Sequence, residues 1–202
     1  TPTRSRAPPS SPMPKIAEIE PTPNPNAMKF VLKEPLTWGI SRSYDAREQA
    51  QGDALATALF DIPHVTNVFY VDHWITVTQD GAANWDELMR KVAAPIRAAP
   101  AADAQSQAFG AAGAGHPALA DETLSDDQRQ KLAMIADMVD HDVRPYLQGD
   151  GGDLYLVGLE GNVLKVHYQG ACGSCPSSLS GTLAGIESMV KMIDPEIELV
   201  PV

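Results

Sequence analysis

The sequence is poor in cysteine, has no surplus of positive charge and lacks long apolar runs. Only two of its 202 residues are cysteine, too few for a disulfide framework. No apolar run approaches the roughly 20 residues that a membrane-spanning helix needs. The net charge of −11 argues against nucleic acid, which is held through a basic footprint, and against anionic membrane surfaces. The glycine-rich stretch Gln148-Gly149-Asp150-Gly151-Gly152-Asp153 lacks the Gly-Lys-Ser/Thr of a phosphate loop and the spacing of a dinucleotide fingerprint. It reads as a helix stop and a turn. The first residues are rich in Pro and Ser, with Arg4 and Arg6 but no apolar segment, which excludes a secretory signal. They read as a disordered tail to residue 13 or an extension upstream of a start at Met13, with a transit-peptide stub as the third option.

Charge and composition divide what remains. Residues 1–120 carry 10 Lys and Arg against 12 Asp and Glu, whereas residues 121–202 carry 5 against 14. The strongly acidic half reads as a solvated surface for solubility, with steering of docking toward basic partners as the alternative. Ala98–Ala120 is rich in Ala, Gly and Pro with Phe109 as its one aromatic, so it cannot bury enough apolar surface to fold alone. It is expected to be a flexible linker between domains at 14–97 and 121–202. The expected fold class is α+β, with two small α/β-sandwich domains.

In the first domain, Lys15–Glu20 reads as an edge strand, followed by the proline-rich turn Pro21–Asn26. Ala27–Lys33 reads as a strand with Met28, Phe30 and Leu32 on one face. Asp53–Asp61 reads as a helix, Val65–Val71 and Trp74–Gln79 as a hairpin around Asp72-His73. A last helix is capped at Asn84, with Trp85, Leu88, Val92 and Ile96 as its apolar stripe. The order is β-β-α-β-β-α. His64 and His73 are isolated and read as loop residues.

In the second domain Ser125 and Gln128 form a capping box. The helix they open runs to about Leu147, with Leu132, Ile135, Val139, Val143 and Tyr146 along one face and a kink or an early end at Pro145. A hairpin follows, Leu154–Leu159 and Val163–Tyr168, with Leu164, Val166 and Tyr168 pointing one way. Leu179, Leu183, Ile186, Val190 and Ile193 repeat at helical spacing, and Glu196–Val200 is the last strand. The order is α-β-β-α-β.

The chemistry concentrates in Cys172-Gly173-Ser174-Cys175-Pro176, where strand gives way to helix. Two thiols three apart suit a soft metal but supply half of a tetrahedral set. Gly170 and Gly173 remove bulk where a cluster and a partner chain must approach. Pro176 suits the first helical position, which places Cys175 at the N-cap, where unpaired amides favour the thiolate. Ser177 and Ser178 add donors. Neither thiol belongs to the apolar pattern. A thioredoxin-like pair would need a parallel β-α-β unit with further strands, whereas the preceding strands form a hairpin. A structural zinc site lacks its other ligands, and His167 sits in a strand facing solvent. A structural disulfide suits a reducing compartment poorly. An iron–sulfur cluster shared by two chains uses all of these features.

These residues carry a resemblance. Gln148–Asp153, Gly170–Ser178, Gly185-Ile186-Glu187 and Pro195-Glu196 resemble the C-terminal domain of NifU-like (Nfu) iron–sulfur proteins. Thr22–Phe30 and Trp74–Thr78 resemble the family's N-terminal domain. The resemblance implies a carrier, not an enzyme. It would hold a [4Fe–4S] cluster, with [2Fe–2S] as a further form, at the interface of a homodimer. Cys172 and Cys175 of each chain would be the ligands. An upstream assembly scaffold would supply the cluster and apo iron–sulfur proteins would receive it, with no nucleic acid or membrane involved. The implied compartment is the bacterial cytoplasm, with the mitochondrial matrix as alternative; a thiol–disulfide oxidoreductase remains the other function. Leu179–Leu183 and Val71-Asp72-His73-Trp74 depart from the family's usual stretches, which bears on partner choice.

Overall fold

The computed structural model describes residues 13–102, 115–173 and 176–202, without the side chains of 176–180. The expected tail and the middle of the expected linker therefore lie outside the described residues. What is described forms two domains, each a hairpin-based sheet covered by helices and each with its own apolar core.

The first domain has the strand order β1-β2-β5-β4-β3. Strands β1 (Ile16–Pro21) and β2 (Ala27–Leu32), helix α1 (Ala54–Phe60), strands β4 (Val65–Val71) and β5 (Trp74–Gln79) and helix α2 (Trp85–Ala98) stand where periodicity places them. One sheet face carries Phe30, Leu32, Val68, Tyr70, Ile75 and Val77 into the core, under Leu55 and Leu59 of α1 and Leu88, Val92 and Ile96 of α2. Alternation in the strands and the 3.6-residue period in the helices bring these stripes together.

One strand, β3 (Arg42–Tyr44), falls outside the expected order. Its three residues, Arg-Ser-Tyr, carry no apolar alternation to reveal it. Polar contacts anchor it at the sheet edge: Tyr44 donates its hydroxyl to Asp53 Oδ2 at 2.9 Å, and the Arg42 guanidinium lies 3.4 Å from the same oxygen. Asp53 also caps α1 by accepting from the Ala56 amide at 2.9 Å and accepts the buried Tyr70 hydroxyl. One carboxylate thus ties strand edge, helix start and core together.

In the second domain, α3 (Asp126–Met138) opens on the full capping box of Ser125 and Gln128. It continues through a π-helical turn, Val139–Val143, into α4 (Arg144–Gly149). The wide turn makes room for the Pro145 ring, which would otherwise press on the carbonyl one turn back. It also delays the apolar stripe by one residue. Leu147 is buried, whereas Tyr146, expected on the inner face, is 76% exposed.

Strands β6 (Gly152–Glu160) and β7 (Val163–Gly170) form the expected hairpin, turning at Gly161 with φ +61°. Helix α5 (Pro176–Ile193) then returns the chain to β8 (Glu198–Pro201), which pairs parallel to β7. This corrects a sequence argument. The unit β7-α5-β8 is a parallel β-α-β crossover, so its supposed absence does not count against a redox pair.

The packed units extend into the stretch expected as linker. Ala99 and Ala101 are buried, and the Ala102 amide donates to Pro35 O at 2.8 Å. On the other side, Pro117–Ala120 forms a 3₁₀ turn with Ala118 in the second core, and His116 is buried. The Leu156 amide donates to His116 Nδ1 at 3.0 Å, which leaves Nε2–H to donate to Asp140 Oδ1 at 3.2 Å. Asp140 in turn pairs with Arg144, which also holds the buried Asp153.

Burial holds the His116 imidazole below its ordinary value, with Asp140 opposing and Arg144 assisting. A histidine with a depressed folded value contributes stability above its unfolded value of about 6.5, and loses it as pH falls through the folded value. The wild-type urea midpoint should therefore drop more steeply between pH 7 and pH 5 than that of His116→Asn, which keeps an acceptor near Nδ1 but cannot titrate. Exposed His141 is common to both proteins and cancels. Equal pH slopes would show that His116 plays no such part.

Candidate functional site

Strand β7 delivers the cysteine turn. Gly170 has φ +65°, a left-handed conformation that suits glycine. The Ala171 amide donates to Gly151 O and the Gly173 amide to Gly170 O, each at 3.1 Å, folding the chain back toward α5. The helix starts at Pro176, as expected of a proline at the first position. Cys175, its neighbour Ser174 and the side chains of Ser177 and Ser178 lie outside the described residues, so the structure places one of the two expected ligands.

That residue, Cys172, is 2% exposed and belongs to the second core. The apolar pattern had left it out of the core. Its sulfur is packed so closely on β6 that a Cβ at Gly152 would lie 2.5 Å from Sγ. The described thiol packs into the core against β6.

The first domain supports this turn from outside. Asn24, buried in the Pro23-Asn24-Pro25 turn, donates Nδ2–H to Ala171 O at 3.1 Å, the carbonyl beside Cys172. Lys29 Nζ reaches Gly149 O at 3.3 Å, and Tyr155 donates its hydroxyl to Ser41 at 2.8 Å. A Cβ at Gly170 would lie 2.6 Å from Gly151 O and 2.9 Å from Phe69 Cδ1, and one at Gly151 would lie 2.8 Å from Thr76 Oγ1. Phe69 and Thr76 are fully buried yet lie outside the first core, on the sheet face away from α1 and α2. The glycines thus open space for the first domain and the neighbouring turn, where the sequence suggested a partner chain. Asn24, Phe69 and the anchoring His116 carried no sequence signal of this kind, because the other member of each contact lies 40 or more positions away.

The remaining histidines stay apart from the turn. His64 pairs with Asp80 at 3.0 Å, and His167 Nδ1 lies 2.8 Å from Val202 O. Among the described residues no group of three or more His, Cys, Asp or Glu could hold a metal ion. A soft metal at this turn depends on thiols, and the sequence offers two. No described helix is long and apolar enough to cross a membrane.

Fold and turn together define a two-domain α+β protein built around one Cys-x-x-Cys loop. A family described as the N-terminal domain of scaffold protein Nfu/NifU matches residues 16–102, and the NifU-like domain matches residues 135–200. The human "NFU1 iron-sulfur cluster scaffold homolog, mitochondrial" is 32% identical over 187 residues, covering 90% of this chain and 69% of that one. A Drosophila ananassae protein of the same name is 32% identical over 184 residues, covering 91% of this chain. The chain spans 62% of that relative's length. Among solved structures, a Saccharomyces cerevisiae NifU-like protein is 20% identical with TM-score 0.40, covering 48% of this chain and 86% of that one. A Staphylococcus aureus crystal structure is 31% identical with TM-score 0.36, covering 40% and 96%. The chain belongs to the Nfu/NifU-like family.

Replacing Asn24 by Ala leaves the Ala171 carbonyl buried without this donor, at a cost of about 1–3 kcal/mol. Amide exchange at 170–173 should accelerate in Asn24→Ala while the α2 core remains protected. Unchanged exchange there would show that the first domain does not brace the turn.

Proposed function

We propose that this protein is an iron–sulfur cluster carrier. Two copies hold a [4Fe–4S] cluster between them through Cys172 and Cys175 of each chain and pass it to apo-proteins. The observation that carries this reading is the half-set of ligands in a family member: two cysteines in the whole sequence, in one loop. Four thiolates complete a cluster, and two chains supply four. The cluster is cargo, received from an upstream assembly scaffold and given up again, so its site must both close and open.

The chain's own residues do three things here. Helix α5 begins at Pro176, the residue after Cys175, and unpaired amides at a helix N-terminus favour thiolate over thiol. Gly170 and Gly173 flank Cys172 and keep side-chain bulk away from the turn. The acidic second domain attracts basic surfaces of recipient proteins. The first domain braces the turn through one sheet face, leaving its helices and sheet edges for client recognition. Thiolate chemistry of this kind belongs to a reducing compartment, the bacterial cytoplasm or the mitochondrial matrix.

The second reading, a thiol–disulfide oxidoreductase, is favoured by the β7-α5-β8 crossover that leads out of the Cys-x-x-Cys loop. The covered thiol weighs against it, since reactive cysteines of this type are partly exposed.

Anaerobic reconstitution with iron and sulfide separates the two. The carrier should yield a brown chromophore with about two irons and two sulfides per chain and should run as a dimer when loaded. Cys172→Ala and Cys175→Ser should each lose the chromophore. The Cys172 variant should also melt lower, because that thiol is core. Thiol-dependent reduction of insulin without a chromophore would sink the carrier in favour of the redox enzyme.

A further inference from the structure

Tyr168 stands four residues before Cys172, on the face of β7 that also buries Leu164 and Val166. The residue is 6% exposed, and its hydroxyl is covered without a hydrogen-bond partner. Five buried side-chain atoms among the described residues share that state. Ser43, Asn67, Thr76 and Thr78 belong to the first domain, and Tyr168 is the member that belongs to the second. It sits in the same core cluster as Cys172, and its own carbonyl lies 3.1 Å from where a Cβ of Gly173 would be. A tyrosine hydroxyl is protonated at neutral pH and has its O–H to give.

A buried hydroxyl without a partner destabilises the fold, whereas Leu or Phe would fill the same space with no such cost. Across the hairpin Tyr168 faces Leu154, which offers no acceptor from its side chain. The sequence places a donor where the cargo-free chain has no use for one. We infer that the Tyr168 hydroxyl is a third cargo-holding group: in the loaded protein it donates O–H···S to sulfur at the cluster edge, the Cys172 thiolate or an adjoining sulfide. This rests on the carrier reading above. Donation to a metal-bound sulfur withdraws charge from it, which raises the reduction potential of a cluster and slows its loss.

The test compares full-length wild type and Tyr168→Phe, each cargo-free and reconstituted. Cargo-free Tyr168→Phe should melt at the same temperature as wild type or higher. Loaded Tyr168→Phe should lose its visible absorbance to a chelator about tenfold faster, the scale of one hydrogen bond to a charged group, and its reduction potential should be lower. Tyr168→Leu, which also removes the hydroxyl, should follow the same direction for cluster loss. Opposite movement of cargo-free stability and cluster lifetime is the signature. Unchanged lifetime and potential overturn the inference, and so does a parallel fall of melting temperature and lifetime, which marks simple packing. A wild type that takes up no cluster overturns the carrier reading itself, an outcome distinct from the other two.

Discussion

The arrangement around the cysteine turn depends on one close approach, the crossing of backbone at 151–152 with backbone at 170–171. Gly170 packs where a Cβ would meet Gly151 O at 2.6 Å, and Gly152 packs where a Cβ would meet Cys172 Sγ at 2.5 Å. Side chains at either position would drive the strand ends apart and lift the cysteine out of the core. The Ala171 amide uses that proximity to reach Gly151 O. Backbone contact this close also leaves a shallow surface, onto which the first domain sets Phe69, Thr76 and Asn24. The cysteine turn therefore has two supports, its own β6 behind it and a second domain beside it.

Such support has a consequence for any carrier. A thiol that is 2% exposed is protected from adventitious oxidation and metal capture. The hydrogen bond from Asn24 to the neighbouring carbonyl crosses between domains, so domain docking and turn position are linked. A ligand that binds only one turn position shifts the equilibrium by its differential affinity for the two. Docking of the first domain therefore biases the position of the turn. A flexible tether would act differently, changing effective concentration alone.

Much of the fold was legible in the sequence, because periodicity is a local signal. Val65–Val71 and Trp74–Gln79 match β4 and β5 residue for residue, and the capping box at Ser125 stands as expected. The failures share a cause. Strand β3 is held by Asp53 rather than by apolar alternation. Tyr146 is exposed because a π turn shifts the stripe. The ends of the Ala-rich linker are packed because single residues such as His116 find partners across the chain. The parallel pairing of β8 has no local mark at all. At the site, the Cys-x-x-Cys loop and Pro176 could be read directly, whereas the brace from Asn24 and the inward packing of Cys172 are tertiary facts.

Tyr168 and Cys172 pose the same physical question from two sides. Cores are close-packed and their polar groups are almost always paired, so a buried hydroxyl without a partner needs a reason. A buried thiol does not, since free cysteine behaves as a small hydrophobe. Replacing the tyrosine by phenylalanine would relieve the cost at no loss of packing. The hydroxyl is therefore best understood through a state other than the cargo-free one, in which sulfur near it carries charge. Thiolate and sulfide are acceptors suited to such a donor. A site that is slightly destabilised when empty and satisfied when filled holds its cargo through the contrast between the two states. The magnitude of that contrast, on the order of one hydrogen bond to a charged group, is large enough to lengthen retention and small enough to permit release.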